Sequence, residues 1–523
     1  MVQSLKTIRW GWTLFALIPL VICFIPFLFL VFGATNVNST ELSKSFAFFS
    51  IDSISNTIIL CLGVLVLSCI LGIGLAYLVV NYSFKGSRFF EIAFYLPIAI
   101  PGYIMAITYS SFFDYGGYFY QFTGSYLNIM NMAGLIFVLS ISLFPYIYIT
   151  ALHAFKLNSA NYNESAKLLG ASSRKLFFKI TLPLAAPAII GGVWLTLMET
   201  LNDFGAASYF GIRTISTEIF RCWQFGTSLT LFLSFCIMLF ILLLMVIMQY
   251  YLNKKRHNLS SKNKKMEPIK VNKKKSWLYF GICLFVLSIV FLIPVVVLIA
   301  YAIRNGTSEE FGTLIIRSYN SFQLAGFASL FIIFFCIISA YFKIIRNKKS
   351  KLIGNIFLDF GYAIPGSVLA VSILSLAAFI DTTFSLFLTG TVFFLIMAYF
   401  IRFYTVARQP IENIFNKLPS NLYGASLSLG KSPFQSFIKI YLPLLLPGFL
   451  AIFLLVFIDI LKELPLTLIL RPYNFNSLST TVYGYAKVNE NIGQASLYCL
   501  FIITLGVLAI FMLKHIERKY GTS

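Results

Sequence analysis

Four carboxylates stand at matching positions in the two halves of this 523-residue sequence. Glu199 and Asp203 close one apolar stretch, and a shift of 260 residues places them over Asp459 and Glu463. Acids beside an apolar stretch of membrane length are costly, and they usually face water, a partner or a transport route. Oxygen ligands suit hard cations. We therefore predict that these four side chains gather near a pseudo-twofold axis and line a translocation path for such an ion, although their spacing assigns no metal-ligand set.

The alternative is a local role for the same charges. An interfacial loop can carry acids that pair within it, for instance Lys462 with Glu463 or with Asp459. A structure tests the difference, because only a path requires all four acids to face one space.

The composition indicates which elements must position these acids. Hydrophobic residues make up 59% of the chain and charged residues only 11%, whereas soluble proteins carry roughly a quarter charged residues. Too few polar groups remain to cover a soluble surface, and the apolar content is too high for a disordered chain. The sequence therefore predicts an all-α integral membrane protein.

Apolar stretches long enough to cross a bilayer, which takes about 20 residues each, occur twelve times. They lie near 10–33, 56–80, 90–113, 132–152, 185–202, 229–252, 277–302, 322–345, 354–380, 384–407, 448–465 and 495–513. We divide the chain into a first repeat, 1–252, a basic linker, 253–276, and a second repeat, 277–523. Since each repeat holds an even number of spans, the two six-helix repeats are expected to be parallel.

The net charge of +22 is explained by membrane topology without nucleic acid as a partner. Lys and Arg resist translocation and collect in cytoplasmic segments, and cytoplasmic N- and C-termini place most basic residues of this chain inside. The linker 253–276 reinforces that orientation, and the alternative is a binding site for membrane lipid or for a partner. We therefore predict a multi-pass protein with both termini in the cytoplasm.

A loop motif occurs once in each repeat, between its fourth and fifth spans. The copies lie at 160–187 and 420–447, and the same shift of 260 residues superimposes them. Each copy predicts a short helix, a glycine that ends it, a second short helix and a proline at the entry to the next span. The defining residues are Glu164, Ala166, Gly170, Ile180, Leu182 and Pro183 in the first copy, and Gly424, Ala425, Gly430, Ile440, Leu442 and Pro443 in the second.

This pattern resembles the EAA motif, E-A-A-x3-G-x9-I-x-L-P, of permease subunits in binding-protein-dependent ABC importers. The first copy departs from it at Ser165, and the second has Gly424 in place of the glutamate and Ser426 in place of an alanine. The resemblance implies a type I importer permease fold with an ABC ATPase dimer docked on the two loops. It also implies that ATP and Mg²⁺ are bound by those subunits, with no cofactor and no catalytic residue in this chain. An ion-gradient-driven secondary transporter, the rival from another class, lacks this loop signature.

Two further segments are similar to fused ferric-iron permeases. They begin at Asn202-Asp203-Phe-Gly205 and at Lys462-Glu463-Leu-Pro465. The resemblance implies a bacterial inner membrane permease that receives ferric iron from an extracytoplasmic substrate-binding protein. Thiamine permeases share this fused architecture, so thiamine or another small solute is the alternative cargo.

Three arginines in the predicted outer loops are candidates for docking that binding protein. They are Arg213, Arg221 and Arg471, and basic side chains at these places can pair with acids on a partner surface. The alternative for all three is ordinary snorkelling at the membrane interface.

Overall fold

The computed structural model of the chain is almost entirely helical. It describes residues 2–35, 51–158, 172–225, 227–255, 268–305, 309–346, 358, 361–419 and 421–520. The elements up to the linker are α1 (Val2–Thr35), α2 (Ile51–Asn81), β1 (Tyr82–Ser83), α3 (Ser87–Ala93), α4 (Gly102–Phe113), α5 (Tyr118–Thr123), α6 (Met132–Asn158), α7 (Ser173–Leu176), α8 (Leu182–Asn202), α9 (Gly205–Tyr209), α10 (Ile215–Phe225) and α11 (Thr227–Lys255).

The remaining elements belong to the linker and the second half. It contains β2 (Ile269–Lys270), α12 (Lys273–Leu287), α13 (Ile293–Asn305), α14 (Glu309–Arg346), α15 (Gly366–Phe384), α16 (Val392–Asn416), α17 (Leu422–Ser428), α18 (Pro433–Ser436), α19 (Leu442–Leu461), α20 (Pro465–Leu470), α21 (Leu478–Tyr483) and α22 (Ile492–Tyr520). Strands β1 and β2 pair in parallel and connect the two halves.

Eleven helices in the described ranges are long and apolar enough to cross a membrane. A twelfth candidate is the helix pair Ser87–Ala99 and Gly102–Thr123, which is bent by 93°. The structure therefore agrees with the prediction of an all-α membrane protein with about twelve spans. It differs at the third predicted span, 90–113, which is broken and not one continuous helix, and at the ninth, 354–380, which is interrupted at Pro365.

A proline–glycine step causes this break. Pro101 has φ −56° and ψ 149°, an extended conformation, and α4 begins at the next residue. Proline lacks an N–H and restricts the residue before it to extended conformations, so the helix cannot continue through this point. Pro365 adopts nearly the same conformation, with φ −53° and ψ 137°, directly before α15. The two halves thus carry equivalent helix starts.

The helices of the two halves exchange partners in the core. Within the first half α2, α6 and α8 pack together, and within the second half α14, α16 and α19 do so. Helix α1, however, packs against α14 and α15 of the second half, and α11 packs against α15. In the opposite direction, α13 packs against α4 of the first half, and α22 packs against α4 and the 3-10 turn Leu96–Ala99. Each of the two large apolar cores therefore contains side chains from both halves.

Polar contacts join the exchanged helices to their hosts. The buried Ser372 hydroxyl on α15 donates to the carbonyl of Pro26 on α1 at 2.7 Å. The Tyr301 hydroxyl on α13 donates to the carbonyl of Ser111 on α4 at 3.1 Å. Such bonds fix the register of one helix on another, because an unmatched polar group between apolar helices is costly.

Candidate functional site

A cavity of about 110 Å³ lies where the two halves meet. Its wall includes the proline–glycine step before α4 and the C-terminal ends of α8 and α19. All four predicted carboxylates line it: Glu199, Asp203, Asp459 and Glu463. The predicted gathering of these acids at one space is therefore found, and their role in translocation stays a prediction.

Two of the acids are held by the short helices that follow them. One carboxylate oxygen of Asp203 accepts hydrogen bonds from the backbone N–H groups of Ala206 and Ala207, at 3.0 and 3.1 Å, at the start of α9. Glu463 accepts from the N–H of Leu466, at 3.1 Å, at the start of α20. First-turn N–H groups have no partner within a helix, so a preceding acid satisfies them and is itself fixed in place.

The glycines of the two helix breaks allow the backbone to approach these acids. A Cβ atom added to Gly102 would lie 3.1 Å from a carboxylate oxygen of Asp203. One added to Gly366 would lie 2.9 Å from Oε1 of Glu463 and 2.8 Å from a guanidinium nitrogen of Arg402. A side chain at either glycine would therefore occupy space beside a cavity carboxylate.

Two cationic side chains and a tyrosine contact the carboxylates of the cavity. The Lys462 ammonium lies 2.7 Å from Oδ1 of Asp459, and Nε of Arg402 lies 3.8 Å from Oε1 of Glu463. The hydroxyl of Tyr362 donates to a carboxylate oxygen of Glu199. The local pairing of Lys462 with Asp459 thus occurs inside the shared cavity. The structure therefore agrees in part with both interpretations of these charges, acids that face one space and acids that pair locally.

Several buried polar atoms on the cavity wall have no hydrogen-bond partner in the described part of the chain. They are the hydroxyl of Tyr103, Oδ1 of Asn202, Oε1 of Glu463, and Nε and one terminal nitrogen of Arg402. These four residues are only 4–6% exposed. Buried polar groups are normally paired, so this wall suits a polar or charged occupant better than an apolar one.

The cavity is not a preformed chelating site. Among the residues that the structure describes, no three His, Cys, Asp or Glu side chains are placed to hold a metal ion together.

Arg402, Tyr362 and Tyr103 are wall residues that the sequence analysis did not single out. Arg402 carries a signal in the sequence, because it lies within the predicted span 384–407 and an ionisable residue inside a span usually has a functional partner. The two tyrosines carry none, since aromatic residues occur throughout the apolar stretches.

The second copy of the loop motif folds as predicted. Gly424 and Ala425 lie in α17, which ends at Ser428, and two residues later Gly430 turns the chain with φ +75°, a conformation that favours glycine. Helix α18 then begins with a capping box between Ser432 and Gln435. Ile440 follows in a π-helical turn, and Leu442 and Pro443 open α19.

The first copy is described only in its second part. Glu164, Ala166 and Gly170 lie outside the described residues. Ile180 lies in a π-helical turn, and Leu182 and Pro183 open α8, as their counterparts do in the second half.

The second loop is anchored to the helices beneath it. The buried Tyr341 hydroxyl on α14 donates to the carbonyl of Pro433 at 2.6 Å, and the hydroxyls of Ser426 and Ser436 lie 2.8 Å apart. Its outer side keeps apolar residues accessible, including Leu429, which is 77% exposed. The loop is therefore fixed on one side and offers apolar surface on the other.

The three candidate docking arginines have partners within the chain. Arg213 and Arg221 both approach Glu218, at 3.9 and 3.2 Å, and Arg471 donates to the side-chain oxygen of Asn476. Burial raises the pKa of Glu218, and the two arginines oppose this shift. Since the Arg213 side chain is 62% exposed, it remains accessible to a partner surface.

Two related halves of membrane helices around a polar central cavity define a membrane permease. The family model described as "binding-protein-dependent transport system inner membrane component" matches the chain twice, over residues 68–257 and 332–522. Because the two matches cover most of the sequence, the chain belongs to this family, and it is a fused permease with both domains in one polypeptide.

One relative is similar along nearly its whole length. The Fe(3+)-transport system permease protein FbpB 2 of Haemophilus influenzae is 28% identical over 523 residues, which cover 98% of this chain and 99% of the relative. The sulfate transport system permease protein CysT of Salmonella typhimurium is 27% identical over 27% of this chain and 51% of its own. The molybdenum transport system permease protein ModB of H. influenzae is 28% identical over 27% of this chain and 62% of its own.

Proposed function

We propose that this chain is the transmembrane subunit of an ATP-driven importer for ferric iron delivered by an extracytoplasmic binding protein. The observation that carries this proposal is the meeting of four carboxylates, two from each half, at one cavity between the halves. Hard trivalent cations prefer such oxygen groups. The similarity to an Fe(3+)-transport permease along 98% of the chain supports the same cargo.

The charge of the cavity favours this cargo over an oxyanion. Among the described residues that line it, four are carboxylates and two are cations, so the wall disfavours an anion such as sulfate.

Energy for transport would come from a separate ATPase dimer that docks on the loops at 160–187 and 420–447. The exposed Leu429 and Phe434 of the second loop, 77% and 59% accessible, and Phe178 of the first, 64%, offer apolar contacts for a groove on that partner. ATP and Mg²⁺ would be bound there and not in this chain. In this arrangement the loops and both termini face the cytoplasm of a bacterial inner membrane.

On the other side of the membrane, the binding protein would dock near the outer arginines. Arg213 is the best placed of the three, because its side chain is the most exposed of the Glu218 cluster. Arg221 and Arg471 would support the surface through their contacts with Glu218 and Asn476.

The test is uptake of radioactive ferric iron by proteoliposomes holding this chain with its co-purifying ATPase and a ferric-binding protein. The double variant Glu199→Gln/Asp203→Asn should lower uptake at least tenfold, while Asp52→Asn, the same change at an exposed acid, should leave it unchanged. Iron uptake without ATP, or competition by thiamine but not by iron, would contradict the proposal.

A further inference from the structure

The two halves differ at one charged position of the cavity. The shift of 260 residues pairs Lys462 with Asn202, and both line the cavity. The neighbouring acids are acidic in both halves, since the same shift aligns Glu199 with Asp459 and Asp203 with Glu463. A lysine has thus been placed in only one half of an otherwise matching set.

Lys462 lies among the acids of both halves. Its ammonium is 2.7 Å from Asp459 of its own half, and it also interacts electrostatically with Glu199 of the other half and with the hydroxyl of Tyr146. A cationic group therefore already sits where the carboxylates of the two halves converge. In this position it neutralises part of the charge that would otherwise be left unpaired.

The second cation of the wall is held more firmly. The Arg402 side chain is 7% exposed and lies against the backbone at Gly366 and against Glu463. The Lys462 side chain is 16% exposed, and its partner Asp459 is 19% exposed. A compact ammonium on a flexible stem can leave its partner, whereas a planar guanidinium buried between backbone and carboxylate cannot do so easily.

The formal charge of the cavity changes in a useful way when the lysine leaves. With all groups ionised, four carboxylates, Arg402 and Lys462 carry a net charge of −2. Without the ammonium the formal charge of the cavity is one unit more negative, which favours the entry of a cation.

We propose that Lys462 is a built-in counter-ion that occupies the cargo's place among the carboxylates and is displaced when a trivalent cation enters. The inference rests on the proposed function and adds a mechanism for release: the returning ammonium competes with the cargo for Asp459 and Glu199. This competition lowers the affinity of the cavity for a hard cation enough to permit its release.

The experiment uses Tb³⁺, a redox-inert trivalent cation whose luminescence is sensitised by nearby tyrosines, three of which, Tyr103, Tyr146 and Tyr362, line the cavity. The purified full-length chain in detergent is titrated with Tb³⁺. Lys462→Met should tighten binding at least tenfold, equivalent to about 1.4 kcal/mol. Adding Asp459→Asn to this variant should return the affinity to about the wild-type value.

Lys274→Met, the same change at an exposed lysine outside the cavity, is the matched control and should not alter the titration. Lys462→Asn, which copies the residue of the first half, serves if the methionine variant does not fold, and it should also tighten binding. Unchanged or weaker Tb³⁺ binding in both Lys462 variants would overturn the counter-ion role. That result leaves the iron-uptake test of the Glu199→Gln/Asp203→Asn variant to decide the proposed function separately.

Discussion

Replacing Arg402 with methionine should destabilise the protein far more than breaking a shorter ion pair elsewhere. Arg402 and Glu463 are 3.8 Å apart, and their side chains are 7% and 3% exposed. At an effective dielectric constant of about 20, two unit charges at this distance interact by about 4 kcal/mol. Removing one partner leaves the other as an uncompensated buried charge, which typically costs about 3–5 kcal/mol.

The pair Lys156–Glu91 is the matched comparison. Its atoms are only 2.5 Å apart, but the side chains are 42% and 33% exposed. Solvent screening and side-chain entropy reduce such a pair to about 1 kcal/mol or less. Lys156→Met should therefore change the free energy of unfolding little, despite the shorter distance.

The assay is unfolding of the purified protein in mixed micelles, followed by circular dichroism, with a double-mutant cycle for each pair. Arg402→Met should lower the free energy of unfolding by roughly 3–5 kcal/mol, and the added change Glu463→Gln should recover much of that loss. If the two pairs gave equal couplings, or if Glu463→Gln restored nothing to the Arg402 variant, the reasoning from burial would be refuted.

Three further predictions concern transport. Gly430→Val forces a β-branched residue into a positive φ of 75°, which costs on the order of 1–2 kcal/mol. The variant should reduce uptake at least tenfold. Its membrane insertion, measured by protease accessibility, should be unchanged. Tyr341→Phe removes the donor to the Pro433 carbonyl, which typically costs about 1–3 kcal/mol, and it should lower the iron imported per ATP hydrolysed. Gly366→Ala places a methyl group 2.9 Å from Glu463, and it should abolish uptake without loss of expression.

Controls for the Tyr341 and Gly366 variants use the same changes where the structure leaves room. A Cβ atom at Gly326 would meet no neighbouring atom within 4 Å, so Gly326→Ala should transport normally. Tyr319→Phe, at an exposed tyrosine on the same helix as Tyr341, should keep the wild-type ratio of iron to ATP. Equal losses in a variant and its control would show that the effect is general and not local.

Much of the fold could be predicted because bilayer length imposes a strong signal on the sequence. The apolar stretches locate the spans, and the internal shift of 260 residues relates the two halves from the sequence alone. The four acids could be brought to one site by that symmetry alone. Gly430 was recognisable as a helix end because a positive φ is rarely tolerated by other residues.

The sequence did not predict which helices and side chains contact one another over long distances along the chain. The stretch 90–113 has the apolar length of one span, yet Pro101 divides it, and hydropathy does not register a bend of 93°. The pairing of Arg402 with Glu463 joins residues far apart in sequence, and no local pattern encodes such a contact. The packing of α1 on α14 and α15 could likewise not be predicted, because many apolar helix surfaces could pack on α1 equally well.

The exchange of helices between the halves has a consequence for biosynthesis. Helix α1 is synthesised before α14 and α15, on which it packs, because both of these helices are encoded after the linker. Until they are made, α1 can pack on α11 of its own half, while the part of its surface that later contacts α14 and α15 faces lipid. Truncated chains ending at the linker would therefore insert into the membrane with part of the packing surface of α1 uncovered. Such chains would be targets for quality-control proteases.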